Sequence, residues 1–265
     1  MNYQIFNIIY YEFFENIRNK WLIGYALSFF VLSNLIFLSG SSNSAGTVAS
    51  LLNLFLLIIP LFCLLFGSLS FVDSLLFFEM ILIRPVSRFE LYIGKWIGIS
   101  LGLAIAFLVG IIPAAIVYVD INDNHFYLFV LLMLFSGFLH LIFISISFQL
   151  SVMLKTKEVI LIVSLLVWFY FYILYDLIIL GFSIQFGEYP LEVPVFTSIL
   201  MNPLDLVRII ILIKMDIGAL MGFSAAFFIK YLGGSLGIFI SLLFMGLWCF
   251  VPLSVGYYLF HKRDM

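Results

Sequence analysis

The sequence predicts an all-α integral membrane protein with six transmembrane helices, and three observations support that fold class. Hydrophobic residues make up 65% of the 265 residues and charged residues only 10%, whereas soluble domains are about half apolar and about one quarter charged. The apolar residues form six long runs, and a helix needs roughly 20 such residues to cross a bilayer. Short polar stretches separate the runs. We therefore expect residues 1–265 to form a single transmembrane domain without a separate soluble domain.

Residues 1–20 are predicted to form an interfacial helix ahead of the first span. Apolar residues such as Ile5 and Phe13 recur at helical spacing against polar residues such as Glu12 and Glu15. This pattern is typical of a helix that lies in the membrane interface. The alternative is that the segment is the frayed start of the first span.

The six predicted spans follow the apolar runs. They are residues 21–38, 51–78, 93–119, 126–154, 159–184 and 233–260. Residues 185–235, between the fifth and sixth spans, break the pattern with three prolines and seven charged residues. We expect this segment to form one or two short amphipathic helices that lie flush with the membrane.

The distribution of cations predicts the orientation, because cytoplasmic loops carry an excess of Lys and Arg. Nine of the twelve Lys and Arg residues fall in the N-terminal segment, the loop after the second span, the loop after the fourth span and the C-terminus. The other three lie in residues 185–235. Both termini are therefore predicted to be cytoplasmic, with residues 185–235 on the outer side.

A charged island between the second and third spans is the most distinctive stretch. Residues 79–95 hold three cations and two anions, so water, lipid headgroups or a partner must reach it. Pro85 favours a helix start or a turn, and Ser87 is suited to cap a helix. We predict a short helix over residues 79–93 that lies on the cytoplasmic face and contacts another protein. The alternative is an ordinary loop whose cations keep it on the cytoplasmic side of the membrane.

Three polar residues inside the apolar runs are candidates for a specific role, because charge in hydrocarbon is costly. Asp73 lies near the cytoplasmic end of the second span, where it can reach the interface. Asp176 lies deeper and is suited to a hydrogen bond between helices or subunits. A proton relay would need Asp73 and Asp176 to meet. His140 follows Ser136 by four residues, which is poor geometry for a hydrolase, so we expect it to hydrogen-bond across the bundle.

Several kinds of chemistry find no support in the sequence. No GxxxxGK[ST] phosphate loop is present, so ATP is not expected to bind to this chain in that way. The three histidines belong to no metal-binding motif, and Cys63 and Cys249 look like small buried residues. A net charge of −2 without a basic tail does not suggest nucleic acid as a partner. We expect no catalytic residue, cofactor or metal site.

The charged island resembles the ABC-2 class of ABC transporter permeases. Glu79, followed by Arg84-Pro85-Val86-Ser87-Arg88 and then Gly94-Lys95, is similar to that class's pattern of an acid, Pro-x-Ser/Gly-Arg and Gly-Lys. The Gly-Thr that usually follows the acid is replaced by Met80-Ile81. Two further motifs resemble the members of this class that serve nitrous oxide reductase maturation. They are Asn202-Pro203-x-Asp205-x-x-Arg208 and Tyr175-Asp176-Leu177.

The resemblance implies a type V exporter-like fold in a bacterial inner membrane, with membrane lipid around it. It further implies a homodimer bound to two copies of a cytoplasmic ATPase that holds the ATP, and a periplasmic partner involved in copper delivery. The residues implied to contact the ATPase are Glu79, Arg84, Pro85, Val86, Ser87, Arg88 and Phe89. The alternatives are an ABC-2 exporter of a lipid, drug or peptide, an intramembrane enzyme, and an ion-coupled transporter that works alone.

Overall fold

The computed structural model describes residues 2–40, 44–81, 86–120, 126–154, 156–189, 191–215 and 234–262. Within these ranges the chain forms eleven α-helices and one π-helical turn. The helices are α1 (Asn2–Ile17), α2 (Lys20–Ser39), α3 (Ser44–Asp73), α4 (Leu75–Ile81), α5 (Arg88–Tyr118), α6 (Phe126–Met153), α7 (Lys157–Phe169), α8 (Tyr175–Gln185), α9 (Glu192–Leu200), α10 (Pro203–Lys214) and α11 (Ser235–Lys262). The π-helical turn, Tyr170–Leu174, joins α7 to α8.

In the described part of the chain, six helices are long and apolar enough to cross a membrane, which confirms the predicted all-α membrane fold and its six spans. They are α2, α3, α5, α6, the continuous helix from Lys157 to Gln185, and α11. Arg88 at the start of α5 bonds the end of α11, and Lys157 at the start of α7 pairs with Asp73 at the end of α3. These helix ends therefore lie on one side of the bundle, which we call the termini side.

The helix α1 precedes the spans and is too short to cross the membrane upright. Its 16 residues extend about 24 Å, against roughly 30 Å of hydrocarbon. Its outer face exposes large apolar side chains, including Phe6 and Tyr10, whereas Glu12 and Asn16 are buried. Two polar residues of this helix thus face the protein, while several of its large apolar side chains face outward.

Two glycines of α5 allow the preceding helices to approach its backbone. A Cβ atom on Gly98 would lie 2.6 Å from Cβ of Glu12 in α1, and one on Gly110 would lie 2.5 Å from the carbonyl oxygen of Ala26 in α2. Real Cβ atoms do not make such contacts. Small residues at these positions let membrane helices pack closely, so α1 and α2 lie one after the other along α5.

The predicted short helix over residues 79–93 is not what the structure shows, and this prediction was wrong in its boundaries. The second span ends at Asp73, and Glu79 belongs to the separate helix α4. Arg88 and Phe89 form the first turn of α5, which has 31 residues. A capping box fixes this start, because Ser87 and Glu90 bond each other's backbone N–H groups. Arg84 and Pro85 lie outside the described residues, as does the Glu79 side chain.

The prediction that residues 185–235 lie flush with the membrane was also wrong for the part that the structure describes. The helices α9 and α10 are bent by 115° at the break between them. The indole Nε1 of Trp248 donates to the carbonyl of Leu200 at 3.3 Å, and Trp248 lies half-way along α11. The Tyr127 hydroxyl, at the start of α6, donates to the carbonyl of Lys214 at 2.6 Å.

The segment therefore re-enters the bundle. The turn between α9 and α10 lies at mid-depth, and α10 returns towards the side opposite the termini over about 18 Å. Leu204, Leu206, Val207, Ile210 and Ile211 are fully buried. Burial of these side chains among the spans outweighs the amphipathic pattern that the sequence displays, because the apolar area removed from water or lipid headgroups is large.

Candidate functional site

The re-entrant turn is organised by Asn202, which uses both ends of its amide. Its Oδ1 accepts from the backbone N–H of Leu204 at 3.0 Å and so caps α10. Its Nδ2 donates to the carboxylate of Asp205 at 2.9 Å and to the carbonyl of Phe171 at 3.0 Å. Pro203 occupies the first helical position, where its missing N–H costs nothing. The Asn-Pro sequence thus explains where the turn ends and α10 begins.

Arg208 joins the two carboxylates of the cluster. Its Nη1 donates to Asp176 at 2.6 Å and to Asp205 at 2.9 Å. The pair with Asp205 lies within α10, whereas the pair with Asp176 connects α10 to α8. The structure therefore brings together five residues predicted from two separate motifs, namely Asp176, Asn202, Pro203, Asp205 and Arg208. The expected role of Asp176 in a bond between helices is confirmed.

This polar cluster lies at membrane depth yet is only partly covered. The side chain of Asp205 is 6% exposed, but those of Arg208 and Asp176 are 24% and 43% exposed. Charged groups at this depth cost at least about 2.5–3.5 kcal/mol when they face hydrocarbon. The exposed edge of the cluster must therefore face water or another protein surface rather than lipid tails.

The π-helical turn lies beside the cluster and determines which residues reach it. The N–H of Tyr175 donates to the carbonyl of Tyr170, five residues earlier. The ring of Phe171 packs edge-on against Trp248 at 5.4 Å between centroids. The hydroxyl of Tyr175 donates to the carbonyl of Ser198 in α9 at 2.6 Å. Single π turns often occur at functional positions in helices, and this one contacts the re-entrant segment.

His140 forms the hydrogen bond across the bundle that the sequence predicts. Its Nδ1 lies 2.7 Å from the carbonyl of Ser136. A carbonyl can only accept, so Nδ1 carries a proton. In the neutral ring, Nε2 then accepts from the Tyr25 hydroxyl of α2 at 2.9 Å. Both side chains are fully buried, and the pair fixes α2 against α6.

Asp73 lies at the end of α3, as predicted, and forms an ion pair with Lys157. Lys157 precedes Asp176 by 19 positions in one continuous helix, which is about 28 Å along its axis. The two membrane acids therefore do not meet, and the proton relay that the sequence leaves open is not formed. Among the described residues, no group of three or more His, Cys, Asp or Glu side chains is arranged to hold a metal.

The termini-side face contains the described part of the charged island. Nη1 of Arg88 donates to the carbonyl of His261 at 2.7 Å, near the end of α11. Phe89 is 48% exposed and its ring contacts Tyr257 edge-on. Val86 packs against the core. Arg88 thus binds the chain's own last helix, and Phe89 offers the larger outward surface.

A buried ion pair between α1 and α5 is a feature that the sequence did not predict. Nζ of Lys95 donates to Oε2 of Glu12 at 2.7 Å, and both side chains are at most 4% exposed. Burial raises the pKa of Glu12 above its ordinary value, although Lys95 opposes the rise. The sequence does contain a signal for this helix contact. Glu12 and Asn16 are separated by one helical turn, as are Gly98 and Gly102, and each of the two glycines lies against one of the two polar residues.

The pair borders a cavity of about 770 Å³ on the termini side. The cavity lies between α1, α3 and α7. Its volume falls within the range of small-molecule sites, roughly 300–1,000 Å³.

These features define a multi-pass α-helical membrane protein with a re-entrant helix pair and a polar cluster at membrane depth. The family model of the ABC-2 family transporter proteins matches residues 57–265. The chain belongs to this family, which places it in a bacterial inner membrane as a transport subunit.

Two curated relatives match almost the whole chain. A protein of Stutzerimonas stutzeri named probable ABC transporter permease protein NosY is 28% identical over 278 residues, which cover 98% of this chain and 99% of the relative. A protein of Pseudomonas aeruginosa with the same name is 29% identical over 277 residues and 96% of each chain. The resemblance that the sequence motifs indicate is thus confirmed.

Proposed function

We propose that this chain is the membrane subunit of an ATP-driven complex and converts motion of a separate cytoplasmic ATPase into a conformational change on the opposite side. In this complex a homodimer of the chain binds two copies of a NosF-like ATPase and a periplasmic NosD-like protein. Its role is in copper-site maturation of nitrous oxide reductase. Membership of the ABC-2 family and the names of the two relatives support this proposal.

One observation supports the mechanical part of the proposal. The helix α11 is hydrogen-bonded both to the start of α5, on the ATPase side, and to the re-entrant turn. Its termini-side end accepts the hydrogen bond of Arg88 through the carbonyl of His261. Its middle holds the re-entrant turn through Trp248 and Leu200. The two bonds are about 20 Å apart along a single helix. A displacement of the start of α5 would therefore reach the re-entrant pair through a single helix.

The partner ATPase would bind the termini-side face, so both termini are cytoplasmic in this proposal. The excess of cations there agrees with that orientation. Phe89 and Met80 expose 48% and 63% of their surface and would fill a groove of the ATPase. The other residues of the proposed contact are Glu79, Arg84, Pro85, Val86, Ser87 and Arg88. The conformational change requires that the ATPase bind two states of the permease with different free energies.

A second copy of the chain would cover the exposed face of the fifth span. Leu174, Leu177 and Ile178 are exposed on this helix, and the charged edge formed by Asp176 and Arg208 lies beside them. A protein partner would remove that edge from lipid, whose contact with charge is unfavourable. The face is thus suited to a two-fold interface, where the same patch meets itself.

The experiment that tests the proposal is co-expression of the tagged chain with the ATPase and the periplasmic protein, followed by affinity purification. We expect all three proteins to co-purify, and Phe89→Ala to release the ATPase. Phe6→Ala, which removes an exposed ring from α1, is the matched control and should keep it. Retention of the ATPase by the Phe89 variant would contradict the proposed contact.

The coupling path is tested separately with Trp248→Phe, which keeps the ring but removes the Nε1–H donor. We expect normal assembly and ATP hydrolysis, but a lower copper content in reductase purified from cells that carry the variant. Trp168→Phe is the control, because Trp168 donates to Leu57 at 3.1 Å, outside the path. Fully loaded reductase in cells that lack the chain altogether would refute the maturation role.

An ABC-2 exporter of a lipid, drug or peptide is the second candidate, and the termini-side cavity favours it. An exporter would hydrolyse ATP faster when its substrate is added and would need no periplasmic partner. Substrate-stimulated hydrolysis by the chain and its ATPase alone would therefore favour this function over the first.

A further inference from the structure

The termini-side cavity has a polar end and an apolar end. Along α3 it extends from Asp73 to Phe62, a distance of about 16 Å. Glu15, Asn19 and Asp73 line the end near the helix termini, while Phe62 and Phe66 line the deeper end. Half of the hydrocarbon core of a bilayer is about 15 Å thick. The cavity thus has the length and the polarity gradient of one phospholipid leaflet.

The mouth of the cavity is placed where a lipid could enter from the membrane. Trp21 is 66% exposed and Leu165 is 44% exposed, and both line the cavity. Aromatic residues such as Trp21 are typical of the headgroup level. Leu165 lies on the outer face of α7, two turns from Lys157.

The polar end carries an excess of negative charge. Glu12 is neutralised by Lys95, and Asp73 by Lys157. Among the residues that the structure describes, no cation forms an ion pair with Glu15, which lines the same end. Arg18 lies near Glu15 at a neighbouring surface pocket. The carboxylate of Glu15 favours a cationic group with N–H donors.

We propose that this cavity binds a phospholipid with a primary-amine headgroup, phosphatidylethanolamine, from the adjoining leaflet. The ammonium group donates to the carboxylate of Glu15, and one acyl chain lies along α3 against Phe62 and Phe66. An anionic phosphatidylglycerol headgroup would be repelled by Glu15, and a phosphatidylcholine headgroup has no N–H to donate.

The site is a place for a resident lipid and does not depend on ATP coupling or on copper maturation. It also differs from the exporter function, because a resident lipid is bound without being moved. The lipid would fill the space between α1 and the spans and so support the buried pair of Glu12 and Lys95.

The test is native mass spectrometry of the purified full-length chain, titrated with phosphatidylethanolamine, phosphatidylglycerol and phosphatidylcholine of identical acyl chains. We expect preferential retention of phosphatidylethanolamine, and about tenfold weaker binding of it by Glu15→Gln, which loses a charge-assisted hydrogen bond. Glu158→Gln removes an exposed carboxylate outside the cavity and should bind as the wild type does. Equal retention of the three lipids would overturn the proposal.

A second pair of variants tests the apolar end and does not depend on the headgroup. Leu165→Trp fills the cavity and should reduce the retention of phosphatidylethanolamine severalfold. Leu166→Trp, on the neighbouring exposed residue that does not line the cavity, should not. Equal lipid retention by both variants would overturn the proposal. So would loss of the dimer without loss of lipid in Leu165→Trp, because a second copy would then occupy the cavity.

Discussion

The amide of Asn202 donates to the carbonyl of Phe171 across 3.0 Å, and this bond holds the re-entrant turn against the π-helical turn of the fifth span. A π turn inserts one residue into a helix, so the residues after it are rotated by about 100° relative to an uninterrupted α-helix. The rotation directs Tyr175 to Ser198 and Asp176 to Arg208. The two sequence motifs are therefore brought together by the irregularity between them.

Replacing Asn202 by alanine tests the importance of this junction. The variant loses the cap of α10 and removes the Asn202 donor from Oδ2 of Asp205, while Arg208 still bonds Oδ1. We therefore expect the free energy of unfolding to fall by about 2–3 kcal/mol. Thermal unfolding of the purified protein in detergent measures the change. Asn34→Ala is the control, because Asn34 bonds only Phe30 of its own helix in the described structure. An equal effect of both substitutions would contradict a special role for Asn202.

The polar cluster predicts a difference between arginine and lysine at position 208. The guanidinium of Arg208 contacts Asp176 and Asp205 at once, whereas an ammonium group is a single point of charge. We expect Arg208→Lys to keep part of the stability, and Arg208→Ala to lower the free energy of unfolding by about 2–3 kcal/mol. This loss is smaller than for a fully buried pair, because the side chain of Asp176 is 43% exposed in the single chain.

Adding Asp176→Asn to Arg208→Ala should recover part of this loss, because it removes one of the uncompensated carboxylates. The double-mutant cycle, measured by thermal unfolding, isolates the interaction between the two residues. Strict additivity would show that the observed contact contributes nothing.

The spans, the bond of His140 and the position of Asp73 at a helix end could be predicted from the sequence, because they follow from local hydropathy and from the cost of burying a polar group. Two features could not be predicted from the sequence: the boundaries of the helices around the charged island, and the course of residues 185–235 through the bundle. Ser87 correctly indicated a helix start, but nothing local shows that the helix continues through the whole third span. For α10, tertiary burial overrides an amphipathic pattern, and only contacts with distant parts of the chain reveal its depth.

The raised pKa of Glu12 predicts how stability depends on pH. Burial is the main cause of the rise, Lys95 opposes it, and Glu15 adds to it. Between the ordinary value of 4.5 and the raised pKa, the folded state binds more protons than the unfolded state. The free energy of unfolding therefore falls as pH increases through this window.

Glu12→Gln cannot titrate and should lack this fall. We expect the stability advantage of the wild type over Glu12→Gln to be larger at about pH 4.5 than at about pH 7.5. Unfolding temperatures at the two pH values measure it, with Glu158→Gln as a control that should follow the wild type. An advantage that grows with pH would reverse the assigned direction of the pKa shift.

Adding a single methyl group at Gly110 should be strongly destabilising, because the nearest atom belongs to the backbone of α2. A Cβ atom there would lie 2.5 Å from the carbonyl oxygen of Ala26 and 2.8 Å from Cβ of Phe29, whereas one on Gly137 meets nothing within 4 Å. Backbone cannot move aside as a flexible side chain can, so α2 would have to separate from α5. The buried pair of Tyr25 and His140 would then be strained as well, because Tyr25 precedes Ala26 in the same helix.

We expect Gly110→Ala to lower the unfolding temperature by several degrees, which corresponds to roughly 1–3 kcal/mol of overpacking. Gly137→Ala should leave the unfolding temperature unchanged or raise it. Equal unfolding temperatures for the two variants would show that α2 does not pack on α5 through Gly110.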